Sequence, residues 1–150
     1  MTTKPKFVYV TYIRTTPEKL WHALTTKEII HQYWSGRTNE STWKKGATLT
    51  SHSPKGNLEW SGKILESKKP SRLVYTFGVA SLKEKASRVT FDIKRAPRNE
   101  GGALRLTVTH DQFPPKTKIL SGIQEGWPAI LSRLKTLLET DEPFTFLTWD

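Results

Sequence analysis

The feature that most constrains this chain is a two-residue periodicity that returns in run after run. Leu58, Trp60, Gly62 and Ile64 alternate with Glu59, Ser61 and Lys63. Leu73, Tyr75 and Phe77 continue the pattern, followed by Val89, Phe91 and Ile93, and then by Leu104, Leu106, Val108 and His110. Side chains of a strand point to opposite faces in turn, so clean alternation predicts antiparallel strands with one buried and one wet face. Turn chemistry separates the runs: SPKGN over Ser53–Asn57, then KKPS, then RAPRNEGG. Ala47–Ser51 reads as a weaker strand, and Phe7–Arg14, rich in β-branched and aromatic residues, as the first. The expectation is a sheet of about six strands.

Two helical signals interrupt this texture. In TTPEKLWHAL, Thr16 suits an N-cap and Pro17 the first helical position, where its missing N–H would be unpaired in any case. Leu20, Trp21 and Leu24 then share a face. Thr25 and Glu28 have capping-box spacing and open a second short helix, KEIIHQYW. The longer signal is C-terminal, where Trp127, Ile130, Leu131, Leu134, Leu137 and Leu138 recur at helical spacing. Ser121 and Gln124 also have capping-box spacing. They predict a helix from about Gly122 to about Thr140, kinked or broken by Pro128, with a start at Pro128 as the alternative.

The bulk properties exclude more than they assign. At 150 residues, the chain reads as one domain with a core at about 6–140 and an aromatic tail, DEPFTFLTWD, at 141–150. No apolar run approaches the ~20 residues of a membrane span, and MTTKPKFVYVTY lacks a secretory pattern, so a cytoplasmic setting is the default. With no cysteine and no HExxH-type spacing among His22, His31, His52 and His110, neither a metal site nor a cofactor is expected. The net charge of +10 suits an acidic protein partner. Its lysines and arginines are scattered in small groups, which favours a solvated basic surface over a nucleic-acid footprint.

The order strand, two short helices, antiparallel meander and long C-terminal helix is that of an α+β helix-grip fold. TPEKLWHAL, Tyr33-Trp34, Gly62–Glu66 (GKILE), PSRLVYTF, SRVTFDI, LRLTVTH and GWPAILSRLKTLLE resemble the START-like (SRPBCC) superfamily. Within it, the chain is most similar to the domain family named for the activator of the heat-shock-protein-90 ATPase. The resemblance spans roughly Lys6 to Glu139. It implies a curved sheet gripping the long helix with a cavity between, but no single activity, since this fold serves lipid carriers, cyclases and chaperone activators alike. Phe77 departs from the pattern, standing where many relatives carry Trp.

Candidate site residues follow from face and fold together. His110 continues the apolar face of Leu104, Leu106 and Val108 and should point inward, while Asp111 faces away. It reads either as a hydrogen-bonded core residue or as a ligand contact or general acid/base. Tyr33 and Trp34 end the second short helix, where the resemblance puts a cavity mouth. Trp43, Trp60, Tyr75, Phe91, Phe113, Trp127 and Leu131 are the further candidates for its lining. Each alone is compatible with plain core packing; together they fit a pocket that stacks a flat apolar molecule. The leading expectation is therefore non-enzymatic binding of a hydrophobic or aromatic small molecule. The alternatives are a chaperone-activator-like interaction protein and a polyketide cyclase or hydrolase using His110.

Overall fold

All of the alternating runs form strands in the computed structural model, which describes residues 4–142. In chain order the elements are β1 (Phe7–Ile13), α1 (Pro17–Leu24), α2 (Lys27–Tyr33), β2 (Thr38–Glu40), β3 (Thr48–His52) and β4 (Leu58–Lys68). They continue with β5 (Arg72–Val79), β6 (Ser87–Arg95), β7 (Leu104–Asp111) and α3 (Leu120–Thr140). A single 3-10 turn, Arg98–Glu100, sits in the connection between β6 and β7. The strands form one seven-stranded antiparallel sheet in the order β1-β7-β6-β5-β4-β3-β2, with α3 against its inner face. This is the α+β helix-grip arrangement.

The sheet has one strand more than expected. β2 is three residues long, and its central residue, Asn39, is buried against Ser51 of β3, whose Oγ donates to Asn39 Oδ1 at 2.6 Å. A strand held by a buried polar pair has no hydrophobic alternation to reveal it. The sheet's register shifts at two places, between Ser51 and His52 where β3 meets β4 and between Ile64 and Glu66 where β4 meets β5. Bulges of this kind bend a strand and increase its twist. Just before the second shift, a Cβ on Gly62 would lie 1.8 Å from the Thr76 carbonyl oxygen, so only glycine lets β4 pass β5 there.

The helix boundaries correct two of the capping readings. Thr16 caps α1 as expected, its Oγ1 accepting from Lys19 N at 3.2 Å, with Pro17 in the first turn. For α2 the N-cap is Thr26, without a side-chain cap; Thr25 instead donates its Oγ1 to the Trp21 carbonyl at 2.8 Å, closing α1. The Ser121/Gln124 box does not form either, because α3 begins two residues earlier, after Ile119. α3 runs unbroken through Pro128. The bond lost there leaves the Gln124 carbonyl, on an exposed residue, for water to satisfy. The tail expected at 141–150 lies outside the described residues beyond Glu142.

Two polar contacts fix the far end of α3 to the start of the sheet: Arg14 N donates to Glu139 Oε2 at 2.8 Å, and Lys135 Nζ donates to the Tyr12 carbonyl. Between them and Trp127, Leu131 and Leu134 are buried in the cluster that also holds Ile13, Leu20, Leu104 and Leu106. Truncating such a leucine leaves a cavity that costs about 2–5 kcal/mol. Leu134→Ala should therefore lower the unfolding free energy by that amount in chemical denaturation, with an unchanged denaturant slope. An unchanged midpoint would refute the packing described for α3.

Candidate functional site: an aromatic cleft beside the long helix

The inner face of the sheet is organised around one buried histidine. His110, at the end of β7, is fully buried, and both of its ring nitrogens are engaged. The Trp127 indole, on α3, donates Nε1–H to His110 Nδ1 at 3.1 Å, and His110 Nε2 lies 2.7 Å from Ser87 Oγ on β6. An indole N–H can only donate, so Nδ1 must accept and the proton sits on Nε2. His110 then donates to Ser87, whose own hydroxyl donates to the Phe77 carbonyl on β5 at 3.2 Å. The hydrogen bonds run one way, from helix to sheet, through a neutral imidazole.

Aromatic rings pack around this relay. The His110 ring stacks on Phe113 at 4.8 Å and meets Phe77 edge-on at 5.1 Å. Trp127 presents its edge to Phe91 at 5.8 Å and to Trp34 at 5.4 Å. Trp60 completes the wall, lying 6.0 Å from Trp34, 4.7 Å from Phe77 and stacked on Tyr75 at 5.6 Å. Tyr33 anchors the turn that delivers Trp34: its buried hydroxyl donates to the Ala23 carbonyl at 2.8 Å. Burial pushes that phenol above its ordinary range, so it remains a protonated donor.

A cleft of about 420 Å³ opens between this wall and the first turns of α3. Trp34, Trp60, Phe77 and Trp127 form its aromatic side; Leu58, Val79, Ile123 and Ile130 add aliphatic surface. Arg37 and Glu59 stand at the rim, joined by a 2.6 Å ion pair. Gly122 and Gly126, one turn apart on α3, form the opposite lip. A Cβ at either would meet nothing within 4 Å. Glycine inside a helix costs about 1 kcal/mol relative to alanine, so these two keep space open at the expense of stability.

The residues singled out in the sequence divide into four groups. Trp34, Trp60 and Trp127 line the cleft. Tyr33, Tyr75, Phe91, His110 and Phe113 lie buried behind it, supporting the lining rings. Leu131 is in the core one turn along α3. Trp43, in the β2–β3 connection with a left-handed backbone (φ 62°), does not line the cleft; it packs, half-buried, against the core cluster. Arg37, Glu59, Phe77 and the two glycines were not among the candidates. The glycine pair had a legible signal in GIQEG, two helix-weakening residues at i and i+4 inside a strong helical pattern. The Arg37–Glu59 pair had none, because it is formed across the fold.

The chemistry of His110 follows from its surroundings. Both ring nitrogens are occupied, and Nε2 points its proton at Ser87, which is the reverse of the polarity a histidine needs to take a proton from serine. Desolvation pulls its pKa down to about 4, against a weaker opposing influence from Asp111, whose carboxylate is held on the other face by Arg88 at 2.9 Å. Among the described residues, no group of three or more His, Cys, Asp or Glu is placed to hold a metal ion, and no helix is long and apolar enough to cross a membrane.

This burial makes a pH prediction. A histidine neutral in the fold but free to protonate near pH 6.5 when unfolded contributes stability that is fully present above about pH 6.5. That contribution is lost as pH falls toward 4, and amounts to a few kcal/mol over the window. Denaturation midpoints should drop across that range. His110→Asn, which keeps an acceptor for Trp127, should be less stable near neutral pH yet show a flatter profile between pH 6.5 and 4. Equal slopes in the two proteins would show that His110 is not the titrating group.

Residues 14–139 match the family described as "Activator of Hsp90 ATPase homolog 1-like protein". Among solved structures, a protein of Mesorhizobium loti superposes with a TM-score of 0.76 at 24% identity, covering 89% of this chain and 96% of that one. An Hsp90 activator from Plasmodium falciparum gives 0.74 at 21% identity, covering 89% and 95%. DynU16, from the dynemicin biosynthetic locus, gives 0.75 at 16% identity, covering 92% of this chain and 48% of that one. Comparison with curated protein sequences returns no match. The structural likenesses establish a shared fold. The sequence match over most of its length shows that the chain belongs to the family of activator-of-Hsp90-ATPase-homolog-1-like proteins.

Proposed function

We propose that this protein binds a flat hydrophobic or aromatic small molecule in the cleft between Trp34, Trp60 and the first turns of α3. The observation that carries this reading is the pair of glycines. Gly122 and Gly126 lie inside a helix, have room for a side chain, and line the cleft without one. Packing alone would favour alanine at both positions. A volume of about 420 Å³ falls in the ~300–1,000 Å³ range usual for small-molecule pockets, and the walls carry the apolar surface such sites use. Burying roughly 300 Å² of apolar ligand would contribute about 7 kcal/mol before ordering costs, which is compatible with micromolar binding.

A second reading, a surface-borne interaction with an acidic partner in the manner of an Hsp90 activator, is supported by the family match and by the net charge of +10. The two readings separate on the same variants. Neutral flat aromatics and medium-chain lipids should change tryptophan emission saturably, since three of the lining residues are tryptophans. Gly126→Ala should raise unfolding stability by up to about 1 kcal/mol while weakening that binding, and Gly126→Leu should abolish it. A ligand panel with no saturable response, or unchanged affinity in Gly126→Leu, would remove the cleft reading. A surface-borne function would be indifferent to either substitution.

A further inference from the structure

We infer that the cleft selects an uncharged ligand whose polar end sets a hydrogen-bond acceptor beside an N–H or O–H donor, as a carboxamide does, and that the Arg37–Glu59 ion pair reads this end. The inference rests on the cleft being a binding site and adds the chemistry of its ligand's polar end.

The pair reaches the rim from two sides. After α2 the chain reverses through Ser35 and Gly36, both left-handed, with φ of 53° and 74°. Gly36 N donates to the His31 carbonyl and Arg37 N to the Trp34 carbonyl, each at 3.1 Å. This turn leaves Trp34 buried in the wall and sets Arg37 at the cleft. Glu59 comes from the start of β4, where its carbonyl accepts from Ala80 N at 2.9 Å. That bond fixes the Glu59 backbone beside the end of β5 and leaves its carboxylate to Arg37. Arg133, whose charge reaches Arg37 from α3, lies outside the cleft lining and donates Nη1 to Ser35 Oγ.

The way the pair is joined decides what it can read. Arg37 Nε donates to Glu59 Oε1 at 2.6 Å. Among the described residues, the Nη groups of Arg37 and Oε2 of Glu59 have no further hydrogen-bond partner. A guanidinium carries five N–H donors and a carboxylate two acceptor oxygens, so the pair keeps donors and an acceptor side by side after satisfying itself. The two side chains are 34% and 35% exposed, open enough for a ligand to meet them. Their charges cancel. A carboxylate at the rim would meet Glu59 as well as Arg37, and a cation would meet Arg37 as well as Glu59. Either would shed hydration with no net opposite charge to replace it. A carboxamide instead gives its carbonyl to an Nη–H and its own N–H to Oε2, leaving the Nε–Oε1 bond in place. Both new bonds are charge-assisted, and the tryptophan walls beside them hold the apolar body.

Four flat naphthalenes of nearly the same outline test this on the full chain by calorimetry near neutral pH. They are 2-naphthamide, its acceptor-only analogue 2-acetylnaphthalene, the anion 2-naphthoate and the cation 2-naphthamidinium. The expected result is that the amide binds about tenfold tighter than each of the others. Glu59→Gln, which leaves Arg37 without its counter-charge, should move the preference to 2-naphthoate. Arg37→Gln should move it the opposite way, to 2-naphthamidinium. Opposite movements in two variants cannot come from a loss of fold, and the wild-type series decides the matter without either. Any of the other three probes binding the wild-type protein as tightly as the amide would overturn this inference and leave the cleft reading standing. No saturable binding by any of the four would overturn both.

Discussion

The arrangement depends on one chain of hydrogen bonds, from the Trp127 indole through His110 and Ser87 to the Phe77 carbonyl. Each group is buried or nearly so, and each polar atom in the chain has its partner supplied by the next. Buried donors and acceptors left without partners cost about 1–3 kcal/mol apiece, so the chain is stable only when complete. Completeness fixes the rotation of α3 about its axis, because only one face carries Trp127. It also fixes the tilt of the Trp127 ring, which determines where Trp34 and Phe91 can pack. The cleft wall is a consequence of satisfying one histidine.

The opposite lip of the cleft follows a different logic. Most of α3 is built for stability: its middle buries Leu131 and Leu134, and its end is tied to β1 through Lys135 and to Arg14 through Glu139. Its first two turns give stability up, with no side-chain cap at Ile119, glycines at Gly122 and Gly126, and a missing backbone bond at Pro128. The change occurs at Trp127, where the helix passes from lining the cleft to filling the core. Weak local structure beside a tightly packed segment fits a site that adapts to what enters it.

Much of this was legible in the sequence because it rests on periodicity. Alternation in Leu73, Tyr75, Phe77 and in Leu104, Leu106, Val108 and His110 marked the inner face correctly, and with it the inward direction of His110. What stayed hidden depends on partners distant in sequence. β2 is held by Asn39 and Ser51, a polar pair without a hydrophobic pattern. The polarity of the relay needed the knowledge that Trp127 meets Nδ1 rather than Nε2. Arg37 and Glu59, twenty-two positions apart, become one rim only once α2 and β4 are folded. Trp43 looked like its fellow tryptophans in the sequence, but in the fold it packs against the core from the β2–β3 connection and does not line the cleft.

The direction of the relay is the central claim, and the imidazole nitrogens report it directly. In protein labelled with ¹⁵N-histidine, the two ring resonances of His110 should show Nδ1 as an unprotonated, hydrogen-bonded acceptor and Nε2 as protonated. That state should persist on acidification from pH 6.5 until the range near 4, where its pKa lies. A proton on Nδ1, or conversion to imidazolium near pH 6.5, would contradict the account, since Trp127 could then no longer donate to His110.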